Sequence, residues 1–260
     1  MNRRRFFLSL SCFIALAGTF LVTAGVWPFS ANFVESPFRT NAQQCTGGGD
    51  DEGGGGDCQM QSCCGPIGAE CCVFDYTICS CNCSPILIDV QGDGFRLTSA
   101  SGGVNFDLNA DGQAGRIAWT AATDDAWLVL DRNGNGSIDS GRELFGNFTP
   151  QTPAPKPNGF LALSEYDKSE NGGNGDGAID QKDAVFSRLQ LWQDLNHDGI
   201  SGQSELHSLP ELNVVRLLFN FREARWRDEY GNWFRYRAKV YREKGEGHVR
   251  QWAWDVYLVR

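Results

Sequence analysis

Between residues 84 and 212 an Asp/Asn-Gly signature recurs, and its most complete copy is Asp194-Leu195-Asn196-His197-Asp198-Gly199-Ile200-Ser201-Gly202-Gln203-Ser204-Glu205. Carboxylate or amide oxygens stand at positions one, three, five and twelve, with glycine at six, which is the spacing of an EF-hand calcium loop. A hard cation such as Ca2+ needs many oxygens at one centre. Asp194, Asn196, Asp198 and Glu205 would supply side chains and Ile200 its backbone carbonyl, while Gly199 permits the turn. Flanking residues predict helices. Val185, Phe186, Leu189 and Trp192 recur at helical spacing before the loop, and Ser201 suits the N-cap of a short helix that includes Glu205 and Leu206 and ends before Pro210. Position eight, usually a branched apolar residue that pairs with a neighbouring loop, is Ser201 here.

The other copies are variants. Asp131-Arg132-Asn133-Gly134-Asn135-Gly136 has Arg142 at position twelve and Glu143 one place later, so a one-residue bulge would let Asp131, Asn133, Asn135, Asp139 and Glu143 act together. Asn174-Gly175-Asp176-Gly177 has Asp180 and Asp183 at positions nine and twelve, but Gly172 at position one; Asp167 could take that place across an insertion. The segments Asp107-Leu108-Asn109-Ala110-Asp111-Gly112 and Asp89-Val90-Gln91-Gly92-Asp93-Gly94 have no closing carboxylate at position twelve, leaving Asp107, Asn109, Asp111, Asp89 and Asp93 as weaker candidates. The competing explanation for all four is an ordinary Asp/Asn-Gly turn between strands.

Composition divides the chain. Phe6 to Val22 is apolar and follows Arg3, Arg4 and Arg5, so residues 1–24 read as a signal peptide or signal anchor, with 6–27 long enough to hold the chain in a membrane if uncut. Residues 25–44 read as a linker. Of ten cysteines, Cys45, Cys58, Cys63, Cys64, Cys71, Cys72, Cys79, Cys81 and Cys83 crowd into a Gly-rich segment, 45–83, that lacks the large apolar residues of a core. Export makes disulfides the leading explanation, with a thiolate metal cluster less fitting because the spacings are vicinal or C-x-C. An extracellular, periplasmic or cell-surface location follows.

Charge is uneven as well. Residues 84–212 hold 19 acidic against 8 basic side chains, whereas 213–260 hold 6 against 11. The overall charge of -9 argues against nucleic acid as a partner. Runs such as Trp233 to Tyr241 and Trp252 to Val259, separated by turn residues, make 213–260 a β-hairpin region. The fold class expected is α+β: short antiparallel strands with an EF-hand-like helix-loop-helix, preceded by a disordered, disulfide-rich N-terminal segment.

The combination of Ser84-Pro85-Ile86-Leu87-Ile88-Asp89, the 131 loop with Glu143-Leu144-Phe145-Gly146, Asn158-Gly159-Phe160, and Leu191-Trp192-Gln193-Asp194 through Leu206 resembles the calcium-binding module of iron-regulated RTX proteins, over residues 84–212. That resemblance implies a calcium-folded, exported bacterial module. In self-processing members it also implies cleavage of an Asp-Pro bond through an anhydride formed by the aspartate. Here the matching bond is Ser84-Pro85, and the chain contains no Asp-Pro bond. His197, His207 and His248 form no H-E-x-x-H pattern, and G-x-S-x-G is absent, so no enzyme is expected. The function expected is an exported calcium-binding protein whose loops stabilise an interaction module for a protein or cell-envelope partner. The alternatives are a degenerate self-processing module or a secreted hydrolase.

Overall fold

The computed structural model describes residues 73–75, 80–245 and 247–260. The leader, the linker and the candidate cysteines from Cys45 to Cys79 lie outside the described residues. Strands β1 (Val73–Asp75) and β2 (Ser80–Asn82), the latter carrying Cys81, form a small antiparallel pair. The main sheet is built from β3 (Ile86–Asp89), β6 (Asp125–Val129), β7 (Ala178–Ile179), β8 (Gln190–Trp192), β9 (Leu206–Ser208), β10 (Val214–Leu218), β11 (Arg222–Arg227), β12 (Trp233–Lys244) and β13 (Gly247–Tyr257). Its order is β7-β10-β12-β13-β3-β6-β8-β9, with β11 also on β12, and every pairing is antiparallel. A separate ladder joins β4 (Val104–Phe106) to β5 (Gly115–Ile117).

This corrects the expected α+β class. One α-helix of six residues, α1 (Gly159–Ser164), is present among the described residues, and no helix-loop-helix. Where a helix was predicted before Asp194, a single 3-10 turn at Phe186–Arg188 leads into β8; after the loop, Leu206 begins β9, not a helix. The physical reason is two-sided burial. Leu191 joins one apolar cluster and Trp192 the other, on opposite faces of the sheet, and a strand delivers adjacent residues to opposite faces. The i, i+3, i+4 spacing of Val185, Phe186 and Leu189 is real, but it covers only the approach to the strand.

The same logic governs the sheet's centre. Every residue of β3 and β6 is buried. Ile86 and Ile88 pack under α1 with Phe145, Phe160 and Leu163, whereas Leu87 packs on the other face with Trp119, Trp127 and Trp192. Trp119 lies 4.8 Å from Trp127 and 5.4 Å from Trp192, ring centroid to centroid, and Phe106 lies 5.2 Å from Trp119. Helix α1 starts where Asn158 accepts from the amides of Phe160 and Leu161, an N-cap that satisfies two otherwise unpaired donors.

Candidate metal-binding loops

Strand ends deliver the loops. Strand β3 ends on Asp89, and Asp107 follows β4 directly, while Asp131 and Asp194 lie just beyond Val129 and Trp192, the last residues of β6 and β8, with Leu130 and Gln193 between. Pairing registers place Asp89 opposite Asp125 and Trp192 opposite Trp127, so the 89 and 194 loops leave the same end of the sheet.

In the 194 loop, Asp194 accepts from the amides of Asp198 (3.2 Å) and Gly199 (2.9 Å), and Asp198 accepts from Ile200 (2.8 Å). Glu205 folds back to accept from Leu195 (3.2 Å), Asn196 (3.4 Å) and Gly202 (3.1 Å). The Nδ2 of Asn196 donates to Asp198 at 2.9 Å. The side chain of Ile200 is exposed. Asp194 is fully buried and Glu205 nearly so. Burial, reinforced by the neighbouring Glu205 and Asp198 carboxylates, raises the Asp194 pKa. Gly199 has φ +72°, and a Cβ there would come within 2.8 Å of Val104. Both ring nitrogens of His197 face carbonyl oxygens, of Thr120 (2.7 Å) and Gly102 (2.8 Å), which ties the loop to the β4–β5 layer.

The 131 loop repeats this scheme around one extra residue. Asp131 accepts from Gly134 and Gly136, Asn133 from Asn135, and Asn135 from Ser137. The Nδ2 groups of Asn133 and Asn135 converge on Asp139. Glu143 accepts from Arg132 (3.1 Å), Asn133 (3.5 Å) and Asp139 (2.9 Å), the same loop positions that Glu205 engages in its own loop. Burial, with Asp139 adding repulsion, raises the Glu143 pKa. The 131 and 194 loops meet at their eighth positions: the Ser201 hydroxyl accepts from Ile138 N at 2.6 Å.

The 174 loop takes its first position from Asp167, which accepts from Gly175 (3.0 Å), Asp176 (3.2 Å) and Gly177 (3.0 Å) across the insertion. Asn174 accepts from Asp176 and Asp176 from Ala178, while Asp183 closes the loop by accepting from Asn174 (3.1 Å) and Asp180 (2.8 Å). Here the basic C-terminal region meets the acidic middle, with Arg216 3.4 Å from Asp176 and 3.7 Å from Asp180.

The two remaining loops differ. Asp107 accepts from Asp111 and Gly112, Asn109 donates to Asp111, and Arg260 is attracted to Asp111 and Asp107. Asp89 accepts from Gly92 (2.6 Å) and Gly94 (2.8 Å), and the third-position amide, that of Gln91, donates to Asp124 at 2.6 Å. Asp89, Asp93 and Asp124 bring carboxylate oxygens within 4.8 Å of one another. Asp124 was not legible as a partner, because it stands just before another strand, β6, far from Asp89 in the chain.

A second polar cluster, which no local motif marks, surrounds Ser84. Its amide donates to Asn147 Oδ1 at 2.7 Å, and Asn147 N donates back to the Ser84 hydroxyl at 3.3 Å. Asp255, fully buried, accepts from Gly159 N at 2.5 Å; burial lifts its pKa to about 6 against the hydrogen bonds of Ser84 and Gly159 and the charge of Arg235. Gly146 is required here, since a Cβ would lie 1.5 Å from Ser84 O.

Residues 86–257 match the SPM domain family model. Over 143 residues the chain is 41% identical to Iron-regulated protein FrpA of Neisseria meningitidis serogroup C, covering 54% of this chain and 12% of that protein. It therefore spans only a small part of that relative's length. With two-sided strands, acidic loops at their ends and a family match running from β3 to the last residue of β13, the chain belongs to the SPM domain family.

Proposed function

We propose that the protein is an exported calcium-binding module, in which Ca2+ held by the 194, 131 and 174 loops stabilises a β fold that presents a surface to a protein or cell-envelope partner. The observation that carries this reading is the shared arrangement of three loops of different sequence. In each, the closing carboxylate, Glu205, Glu143 or Asp183, turns back onto the amide of the third loop position, opposite the first-position aspartate. Such donor sets of carboxylate, amide and carbonyl oxygen suit a hard cation. Buried Asp194 is surrounded by like charge from Glu205 and Asp198, a cost that a cation would offset. Extracellular modules bind at about 10^-4 to 10^-3 M, so the sites would fill outside the cell and stay empty in the cytosol.

Disulfides within 45–83 would order a spacer between this module and a leader or anchor in 1–24. The reading makes the protein a binding and folding module, not an enzyme. The runner-up, calcium-triggered self-cleavage, lacks its carboxylate at Ser84, since a hydroxyl cannot form the aspartyl anhydride. Calorimetric calcium titration of the whole chain, beside an Asp194→Ala, Glu205→Ala variant, tests the proposal. Binding that weakens in the variant supports it, and no heat at about 10 mM calcium sinks it. A denaturing gel after calcium addition should show one intact chain; a fragment starting at Pro85 would favour the runner-up.

A further inference from the structure

We infer that the face of β11, β12 and β13 carrying Arg222, Arg237, Lys239, Arg250 and Trp252 is the docking site for an acidic, extended protein segment, which adds as a strand beside the free end of β13. Residues 237, 239 and 241 of β12 pair directly with 254, 252 and 250 of β13, and Arg222 of β11 pairs with Arg237. Directly paired residues put their side chains on one face, so these four cations share one side of the sheet with Trp252 and Trp254. Trp254 belongs to the cluster of Leu87, Trp127 and Trp192, which fixes the side. Beyond that cluster the cover is incomplete: Arg237, Lys239 and Trp252 are half-buried, and Arg222 and Arg250 are exposed. Exposed Trp226, 5.6 Å from Trp254, continues the aromatic surface onto β11.

The charge on this face is not neutralised within the fold. Arg222 stands opposite Arg237, and like charges directly opposite across a ladder are destabilising. Among the described residues none of the four cations is in ion-pair contact with a carboxylate. Rings hold them instead: Arg237 lies 4.4 Å from the Trp252 ring and 5.3 Å from that of Trp254, and Lys239 Nζ lies 3.5 Å over Trp252. The Nε of Arg237 is buried with no hydrogen-bond partner among the described residues. Glu223, the acid of β11, pairs with Tyr236 of the opposite cluster and reaches Arg235 and Lys156. Glu243, nearer the end of the hairpin, is the one acid in these rows among the described residues. Half-buried tryptophan beside arginine is the composition of a protein-binding surface, and unopposed cations call for a partner rich in carboxylates.

The backbone favours a peptide over other anions. Strand β3 pairs with β13 only over Ala253–Asp255, and the amides of Val256 and Leu258 donate to Pro85 and Cys83 on that same side. Strand alternation therefore points the amides of Arg250 and His248 to this side too, past the end of β3, where no strand pairs among the described residues. Free main-chain donors and acceptors along an edge accept another strand. A strand laid there sets every second side chain beside Arg250 and Trp252.

The inference names the partner of the surface in the proposed reading and rests on that reading. The test is fluorescence anisotropy of a labelled peptide of alternating glutamate and valine, titrated with the full chain in calcium and in chelator, beside a labelled polyuronate and labelled single-stranded DNA. The peptide should bind, and more weakly as salt rises. Lys239→Glu with Arg250→Glu should weaken it by at least about 10-fold, while Lys239→Arg should not. His248→Pro removes an edge amide that faces away from β12 and should weaken the peptide but not the polyuronate. Arg250→Ala, a single truncation at an exposed position, reports even if the reversed pair does not fold, and should weaken the peptide as well. Failure of the wild type to bind, equal binding by the charge variants, or tighter capture of the polyuronate or the DNA overturns the inference. Calcium bound in calorimetry without capture of the peptide sinks this inference alone. Equal capture in chelator leaves it standing and counts against the role of calcium.

Discussion

The hydroxyl of Ser201 accepts from the amide of Ile138 at 2.6 Å and lies 3.4 Å from the carbonyl of the same residue, joining the eighth positions of two acidic loops through one side chain. Both residues are buried. A serine at this position removes the apolar residue expected there, yet it keeps the two loops in contact. Ser201→Ala should therefore leave the Ile138 amide buried and unsatisfied. Stability in saturating calcium should fall by about 1–3 kcal/mol, and urea unfolding checks it.

Removing charge at the best loop should act with opposite signs in the two metal states. Without calcium, burial and the Glu205 and Asp198 carboxylates disfavour ionised Asp194, so Asp194→Asn should melt no lower than wild type in chelator. With calcium in excess it should melt lower, because a ligand charge is gone. Paired thermal scans decide it, and a variant that melts lower in both conditions would count against the loop as a cation site.

Asp255 sets a pH dependence away from the loops. Its pKa is about 6 in the fold against 3.8 for the ordinary side chain. The folded state thus favours the protonated acid, and stability from this group is present below about pH 4 and lost as pH rises towards 6. The difference corresponds to roughly 3 kcal/mol. Asp255→Asn should flatten the change between those pH values relative to wild type, measured by denaturant unfolding across the range.

Gly199→Ala tests the turn itself. The positive φ and the approach of Val104 to 2.8 Å both oppose a methyl group. A loss of about 1–3 kcal/mol is expected, together with weaker calcium binding, because the amide of residue 199 positions Asp194.

Local spacing made the acidic loops legible. Asp194 to Glu205 reads directly; Glu143 falls into place once a bulge is allowed, and Asp167 once an insertion is. Side chains that turn back on their own amides need only local sequence. Asp124 could not be read this way, because the strand register, not the chain, brings it to Asp89. The helices were misread for a related reason. Val185, Phe186 and Leu189 satisfy a helical period, but Leu191 and Trp192 must serve opposite faces of a sheet covered on both sides, and nothing local announces the second cover. Ser84 and Asp255 meet only through the pairing of β3 with β13.

That pairing also sets a timetable. Strand β3 lies between β6, which follows soon after it in the chain, and β13, which is the last strand of all. A chain emerging with its N-terminal end first completes β3 and its Asp89 turn early, yet β3 keeps one open edge until residues 247–257 arrive. Contacts this remote in sequence form slowly. The final strand is therefore a latch, and until it closes the centre of the sheet keeps an edge open to other chains.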